Sequence, residues 1–400
     1  MKTNKDKGYK FIPSFARIKT SYLAKTDWML WLPCLFLSAL SLILLASLLR
    51  SDFARALRIY NRNFQSQAAA ILMGAVAAFI LSRINYRYIA EAWMFYIPAA
   101  YIPFLLTFLI GVATPGRPNA RRWLSVPFVG MSIQPSEFLR IAFILAFAYH
   151  ILMVHEKMNR PRHMALLFLH GAIPVVLIQL QGDSGSALLT GLIFLTMLFV
   201  AGIHWHYISS LAVVGGVMVP VLWNYLLSPG QRNRFLALLN QSPDDIQGPF
   251  FQSNRALEAI RAGGLRGMGL RSPDLVYVPE MHNDFIFAFA VNALGFAGAL
   301  AVMAAVAVLC VRLMANILYT DDLLGRTIGA GILAMFFFSA MINLGMCVAL
   351  LPVIGNPLPF LSAGGSSALA NYMAVGLALS VHMHGRRKKK SDDFIDLRGL

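Results

Sequence analysis

Long apolar runs, separated by shorter polar segments, make up most of this 400-residue chain. Each run has about 18 residues or more, which is enough to cross a bilayer core of roughly 30 Å as a helix. Backbone polar groups in lipid must bond internally, so the runs are predicted to be α-helices. The period-two alternation of a membrane barrel is absent. The predicted spans are 28–50, 66–83, 89–112, 135–154, 164–180, 185–202, 205–227, 285–311, 327–350 and 364–383.

The composition agrees with this pattern, because 58% of the residues are hydrophobic and only 13% are charged. We therefore predict an all-α polytopic membrane protein with about ten transmembrane helices. A basic cytoplasmic segment (1–27) should precede one ten-helix membrane domain (28–383). A basic cytoplasmic tail (384–400) should follow it.

The distribution of lysine indicates the orientation of the chain. With a cytoplasmic N-terminus, ten crossings place every lysine on the cytoplasmic side, as the positive-inside rule requires. Both termini are then cytoplasmic, and a large loop (228–284) lies outside between spans seven and eight. Segments 113–137, 181–187 and 352–363 face the same side. Irregular backbone at the membrane edge is tolerated where it lines a cavity, so these segments predict a polar cavity that opens outward.

Arginine is distributed differently, because many arginines lie in the predicted outer loops. One interpretation is contact with anionic headgroups of membrane lipids. The other is phosphate binding on the outer face, for which the planar guanidinium is suited. The net charge of +16 does not indicate a nucleic-acid partner, since no helix-turn-helix, zinc or RNA-binding signature accompanies it.

Ionisable residues near the ends of membrane spans are the candidates for chemistry. Asp284 is the strongest, because it directly precedes a long apolar run. A carboxylate that is partly removed from water holds a proton more tightly and can act as a general base. The alternative is that Asp284 caps the helix, with Asn283 sharing that duty. Glu280 and His282 are candidates for substrate binding or for positioning the loop.

The remaining candidates also have structural alternatives. Glu137 and Arg140 are three residues apart, so on a helix they share a face and can form an ion pair or bind substrate. Asp183 lies in a turn rich in glycine and serine, where it can cap the next helix. Trp123 is either an interfacial tryptophan or a stacking wall for a sugar ring.

Seven segments in order resemble the SEDS family (shape, elongation, division and sporulation), the polytopic peptidoglycan polymerases that include RodA and FtsW. The matching segments are the first span, "NARRWL" (119–124), "QPSEF" (134–138), "QGDSGSALL" (181–189), "GGLRGMGL" (263–270), "VPEMHNDFIFAF" (278–289) and "LPVIGNPLPFLSAGGSSALANY" (351–372). The form "LPVIGNPLPF" resembles the RodA branch more than the FtsW branch.

This resemblance implies a glycosyltransferase that polymerises lipid II on the outer face of the bacterial inner membrane during elongation. Its expected partners are lipid II, the growing undecaprenyl-linked glycan, a class B penicillin-binding protein and other proteins of the elongation complex. The alternatives are a division-type polymerase, a lipid II translocase and a non-catalytic scaffold.

The family's essential aspartate corresponds to Asp284, which the resemblance makes the catalytic residue. The implied substrate-binding residues are Arg121, Arg122, Trp123, Glu137, Arg140, Asp183, Glu280, His282 and Ser362. A divalent cation, Mg²⁺ or Mn²⁺, is expected from the resemblance alone, since the sequence has no Asp-x-Asp motif.

Four departures from the family pattern suggest a divergent member. Gly182 replaces a proline, Arg140 a lysine and Ala363 a tyrosine. Span eight reads Val-Asn-Ala-Leu-Gly at 291–295, where two family carboxylates are missing. These changes are expected to affect substrate preference, metal dependence and rate, whereas Asp284 is retained.

Overall fold

The computed structural model describes residues 22, 25–51, 53–56, 61–114, 117–126, 131–227, 229–239 and 250–385. Most of the predicted leader (1–27) and tail (384–400) therefore lies outside the described residues. The cytoplasmic location of both termini stays a prediction.

Helices occupy all ten positions at which spans were predicted. The helices are α1 (Trp28–Leu49), α2 (Phe53–Ala56), α3 (Asn61–Arg83), α4 (Tyr86–Glu91), α5 (Trp93–Ile110), α6 (Pro135–Val154), α7 (Pro161–Leu180), α8 (Ser184–Val200), α9 (Trp205–Val221), α10 (Pro229–Leu239), α11 (Phe251–Gly263), α12 (Ile286–Leu318), α13 (Leu323–Cys347) and α14 (Gly365–His384). A 3-10 turn (His155–Lys157) follows α6, and a π turn (Leu222–Leu226) follows α9.

Eight helices within the described ranges are long and apolar enough to cross a membrane. Helices α8 and α14 are not among these eight, so the count of ten crossings stays a prediction. The all-α polytopic membrane fold itself is confirmed. Helix α3 begins at Asn61, earlier than the apolar run that predicted it, because the helix continues through the polar residues of its first two turns.

The centre of the bundle is α13, which packs against α6, α8 and α12. Helices α3 and α14 approach each other very closely because small residues lie at their contact. A Cβ on Gly376 would lie 2.6 Å from Ala78 Cα, and one on Gly74 would lie 2.9 Å from Tyr372 Cβ. Small residues allow this approach between membrane helices. The Tyr372 hydroxyl also lies 2.9 Å from Ser38 Oγ, so α14 is joined to α1 as well.

Segment 113–137, a predicted outer segment, contains a small antiparallel sheet, which the all-α prediction did not include. Its strands are β1 (Val112–Thr114), β2 (Arg117–Val126) and β3 (Met131–Ile133), in the order β1-β2-β3. Trp123 pairs with Val112 and Leu124 pairs with Ile133. The ladder between β1 and β2 is irregular here, because Trp123 pairs with Val112 and Arg121 pairs with Ala113, which leaves Arg122 between the two pairs.

Loop 228–284, which is predicted to lie outside, is also more regular than expected, because it contains α10 and α11. Helix α12 is interrupted at Gly295, whose φ of 70° and ψ of −162° are not helical. The backbone of the segment after α11 forms hydrogen bonds with α12 on both sides of the interruption. Met268 N donates to Asn292 O at 2.9 Å, and Phe296 N donates to Gly264 O at 2.9 Å. The motif at 263–270 therefore satisfies backbone groups that the break exposes.

We expect Gly295→Ala to lower the stability of the protein by about 2–4 kcal/mol, since strain and a steric clash add at this position. A Cβ there would lie 2.4 Å from Gly267 N and 2.5 Å from Leu265 O. Gly269→Ala is the matched control, because Gly269 also has a positive φ (95°) but open space around it. The apparent melting temperature in detergent should fall clearly more for Gly295→Ala. Equal losses in the two variants would contradict the role of the close backbone contact.

Candidate functional site

Asp284 lies at the end of a tight turn and is partly exposed. Glu280 begins the turn with a φ of 58°, and its carbonyl accepts hydrogen bonds from Asn283 N (2.9 Å) and Phe285 N (3.2 Å). The Glu280 carboxylate accepts a further bond from Asn283 Nδ2 at 3.1 Å. Glu280 therefore shapes the backbone that presents Asp284.

The turn also bears on the capping interpretation of Asp284. The N-cap residue of α12 is Phe285, whose side chain makes no cap hydrogen bond. Asp284 therefore lies one residue before the N-cap position that the capping interpretation assigned to it. Its carboxylate faces the outer loop 352–364, since a Cβ on Gly355 would lie 3.4 Å from Asp284 Oδ2.

A buried amide in α13 holds this loop against the turn. Asn343 is fully buried, and its Nδ2 donates to Asp284 O and to Asn356 O, both at 2.8 Å. Asn356 Nδ2 in turn donates to Ser339 O at 2.9 Å. Our prediction of site residues missed Asn343 and Asn356. For Asn343, the available signal was an amide inside an otherwise apolar run.

Ser362 connects the two segments from the other side. Its Oγ donates to Asn283 O at 2.7 Å and accepts from Leu358 N at 2.8 Å. Ala363 N donates to His282 O at 2.9 Å. Gln67 in α3, also missed from the sequence, donates from Nε2 to Ser362 O at 3.3 Å. Elements that are far apart in the chain thus hold the backbone on both sides of Asp284.

His282 is largely buried in this turn. Burial lowers the pKa of its imidazole, and the nearby Glu280 charge opposes that shift. Its Nδ1 is buried and has no hydrogen-bond partner among the described residues. The neutral ring is therefore the form that the folded protein favours.

This environment makes stability depend on pH. A histidine whose pKa is lowered by folding stabilises the fold above its unfolded pKa of about 6.5, and this contribution is lost as the pH falls below that value. We expect the apparent melting temperature to fall more between pH 7.5 and pH 5.5 in the wild type than in His282→Gln. The same pH dependence in both proteins would show that His282 is not responsible.

Asp183 and Arg122 form a second group of site residues. Asp183 is almost fully buried, and it caps α8 by accepting a bond from Ser186 N at 3.2 Å. Its other contacts are Gln134 Nε2 at 3.1 Å and Arg122 Nη1 at 3.5 Å. Arg122 also donates to the carbonyl of Gly182. The capping interpretation of Asp183 is confirmed, and its substrate role stays a prediction.

Arg121 and Trp123 are separate from that network. Arg121 is exposed, and its Nη1 donates to Leu109 O at the end of α5, at 3.4 Å. A cation near the last carbonyls of a helix is favourable. Trp123 is half-buried on β2. The structure therefore does not bring Arg121 and Arg122 together as one phosphate clamp.

Glu137 and Arg140 form the predicted pair within α6. Arg140 Nη1 lies 3.0 Å from Glu137 Oε2, and Nη2 lies 3.5 Å from Oε1. The two side chains are about 4% and 3% exposed, so the pair is desolvated. The ion pair is confirmed, and direct substrate contact stays a prediction.

Loop 352–364 and the start of α14 connect these groups. Ile354 O lies so close to Gly185 that a Cβ there would be 2.8 Å away, while the next residue, Gly355, lies against Asp284. Ser366 Oγ accepts from Gln134 N at 3.0 Å. The segments that carry Asp284, Asp183 and Glu137 therefore meet at one face of the bundle.

The described residues do not offer a complete set of protein ligands for the expected divalent cation. Among the described residues, no three His, Cys, Asp or Glu side chains converge as a metal site would require. The expectation of Mg²⁺ or Mn²⁺ rests on the resemblance alone, and the steps proposed below do not use a metal.

Asn292 lies in the part of span eight where the family carboxylates are missing, and its side chain has a structural role. Asn292 is fully buried, and its Nδ2 donates to Ala259 O at 2.9 Å. Its Oδ1 accepts from Val276 N at 3.0 Å. An amide at this position thus fastens α11 and the outer loop to α12, and both of its polar atoms are satisfied.

Comparisons with known proteins agree with this arrangement. The family model of FtsW, RodA and SpoVE, described as "Cell cycle protein", matches residues 27–387. Peptidoglycan glycosyltransferase MrdB of Escherichia coli (strain K12) is 32% identical over 329 residues, which cover 80% of this chain and 86% of MrdB. A probable peptidoglycan glycosyltransferase FtsW of Trichlorobacter lovleyi is 33% identical over 320 residues, covering 78% and 81% of the two chains. Stage V sporulation protein E of Bacillus subtilis is 32% identical over 324 residues, covering 78% and 85%.

Solved structures have the same fold. A chain from a study described as "Structural coordination of polymerization and crosslinking by a peptidoglycan synthase complex" matches with a TM-score of 0.73 and 25% identity. That match covers 91% of this chain and 99% of the other. The rod shape determining protein RodA of Thermus thermophilus matches with a TM-score of 0.64 and 24% identity, covering 91% and 98%. The chain therefore belongs to the family of FtsW, RodA and SpoVE, the SEDS family that its motifs resemble.

Proposed function

We propose that this protein is a peptidoglycan glycosyltransferase that polymerises lipid II into glycan strands. The observation that carries the proposal is the presentation of Asp284. Asp284 is partly exposed, it lies one residue before the N-cap of α12, and the backbone on either side is held by Asn343 and Ser362. Relatives that cover most of the chain are named peptidoglycan glycosyltransferases.

The chemistry follows from the position of this carboxylate. Asp284 accepts the proton of the acceptor sugar hydroxyl, and the oxygen attacks the anomeric carbon of the donor sugar. The bond between that carbon and the lipid diphosphate breaks, and the diphosphate leaves with the electron pair. Cationic groups at the outer face stabilise the charge on the leaving group.

The proposed location is the cytoplasmic (inner) membrane of a bacterium, with Asp284 facing the outer side. All ten lysines then lie on the cytoplasmic side, as the positive-inside rule predicts. The proposed partner is a class B penicillin-binding protein, together with other proteins of the elongation complex. The structural neighbour described as part of a peptidoglycan synthase complex supports a partner of this kind.

We assign the protein to cell elongation because the segment "LPVIGNPLPF" resembles the RodA branch. MrdB and FtsW relatives are about equally identical to the chain, so overall identity does not distinguish the branches. Depletion in the native host separates the two roles. Rounded cells would support the assignment to elongation, whereas filaments would show a division-type polymerase.

The activity itself is tested with purified protein and fluorescent lipid II, with and without the class B partner. We expect long glycan strands on a gel from the wild-type protein when the partner is present. If no polymer forms with the partner, the polymerase proposal is wrong. Movement of lipid II across proteoliposomes would then identify a translocase, and its absence would favour the scaffold.

A further inference from the structure

Basic side chains cluster where α6 is joined to α7, at the end of α6 that lies away from the candidate site. Lys157, Arg160 and Arg162 are all exposed there. Among the described residues, none of these three forms an ion pair. Glu156 is the one acidic residue in segment 155–163, so the segment carries a net positive charge. We call the surface formed by the three basic side chains the basic junction.

The backbone of the basic junction is held in place on two sides. The side chain of Met158 is buried in the hydrophobic core. Asn159 joins the segment to the connection between α8 and α9, since its Nδ2 donates to Gly202 O at 3.2 Å and its Oδ1 accepts from His204 N at 2.8 Å. The Tyr207 hydroxyl donates to Asn159 O at 2.9 Å. The three basic side chains therefore project from an ordered backbone, which lowers the entropy lost when a ligand binds.

The length of the connection fixes its depth relative to a membrane. The apolar segments on either side are Pro135–Lys157 and Pro161–Leu180, so only residues 158–160 lie between them. Three residues span at most about 10 Å, and this connection must also return to the membrane. The basic junction therefore lies at the level of the lipid headgroups, which form a layer of several Å on each side of the hydrocarbon core.

Exposed apolar side chains lie next to the basic junction on the same helices. Leu152 and Met153 are exposed on the last turn of α6, and Leu166 and Leu169 are exposed on α7. Trp205, the first residue of α9, is also exposed, as is typical of tryptophan at a membrane interface. A phospholipid can contact both the charges and these apolar side chains. A soluble acidic protein would cover only the charges.

We propose that the basic junction binds the headgroup phosphate of an anionic phospholipid, with Arg160 and Arg162 as its main contacts. A guanidinium can bind two phosphate oxygens at once, which gives both affinity and orientation. The acyl chains would lie along the exposed apolar side chains of α6 and α7. In the predicted orientation this lipid belongs to the cytoplasmic leaflet. It is separate from the proposed substrate, so the inference does not depend on the proposed function.

Binding of phosphatidylglycerol and phosphatidylcholine to the full-length protein in detergent micelles, measured by native mass spectrometry, tests the proposal. We expect phosphatidylglycerol to bind more tightly than phosphatidylcholine. The double variant Arg160→Gln with Arg162→Gln should bind phosphatidylglycerol about 30-fold more weakly, the loss expected for two basic side chains near an anionic surface. Arg160→Lys with Arg162→Lys should weaken binding less, because the charge is kept and the paired hydrogen bonds are lost.

Lys25→Gln with Arg326→Gln is the matched control. It removes the same two charges at exposed positions, directly before α1 and in the first turn of α13. This variant should bind phosphatidylglycerol like the wild type. Equal weakening in the two glutamine variants would show a general attraction between charges and would overturn the proposal. Unchanged binding in Arg160→Gln with Arg162→Gln would overturn it as well.

Two further probes distinguish the lipid from other anions. Glycerol 1-phosphate has the headgroup phosphate without acyl chains, and we expect it not to compete at millimolar concentrations. Effective competition would show a site for free phosphate and contradict the proposed contact with acyl chains. A polyglutamate peptide should bind weakly. If it bound more tightly than phosphatidylglycerol and depended on the same two arginines, the partner would be an acidic protein and the proposal would be wrong.

Discussion

Asp284→Asn is expected to lower the rate of glycan polymerisation at least about a hundredfold, because general base catalysis typically contributes 10²–10⁴-fold. Asparagine has the shape of aspartate and cannot accept the proton of the acceptor hydroxyl. Asn343 binds the Asp284 carbonyl and Ser362 binds the neighbouring Asn283 carbonyl, and the substitution leaves both contacts in place, so the fold should be retained. The measurement is the yield of glycan from fluorescent lipid II over time, with the class B partner present.

Asp274→Asn is the matched control for this prediction. It makes the same chemical change in the same outer loop, at a residue that is exposed to solvent. Its polymerisation rate and apparent melting temperature should equal those of the wild type. Binding of lipid II to Asp284→Asn should also be retained. Undiminished polymer from Asp284→Asn would rule out Asp284 as the base, whereas a loss of binding equal to the loss of rate would indicate a role in substrate binding.

Glu137→Ala is expected to destabilise the protein by about 3–5 kcal/mol, because it leaves the buried guanidinium of Arg140 without a counter-charge. The pair is desolvated, and the Nε of Arg140 already has no hydrogen-bond partner among the described residues. The measurement is the apparent melting temperature in detergent, compared with the wild type.

The double variant Glu137→Met with Arg140→Met separates the two roles of this pair. Replacing a buried ion pair by apolar side chains of similar volume is often nearly neutral, so the double variant should recover most of the lost stability. If stability and polymerisation both recover, the pair is structural. If stability recovers and polymerisation does not, the pair binds substrate. Similar stability of the single variant and the wild type would contradict the energetic argument.

The membrane helices were predictable because they depend on local properties. An apolar run of sufficient length must form a helix in lipid, wherever its neighbours lie. The limits of the helices were less predictable, since helix α3 continues into polar residues outside the apolar run. The small sheet at 113–137 was missed because its strands contain arginine and proline and lack a clear alternation of apolar residues.

The candidate site was only partly predictable for a related reason. Asp284 stands out in the sequence as a carboxylate next to an apolar run, and Glu137 and Arg140 have the spacing of a helical pair. The side chains that hold Asp284 in place come from remote segments. Asn343 is 59 residues away, and Ser362 is 79 residues from the Asn283 carbonyl that it binds. Their roles arise from packing between helices, which local patterns do not report.

Hydropathy and charge position act locally, so they were enough to identify a polytopic helical membrane protein with an acidic residue directly before a membrane helix. The packing of distant segments was needed to place the N-cap of α12 at Phe285 and to pair Arg122 with Asp183. These outcomes depend on which hydrogen bonds and ion pairs remain available once distant helices have packed together.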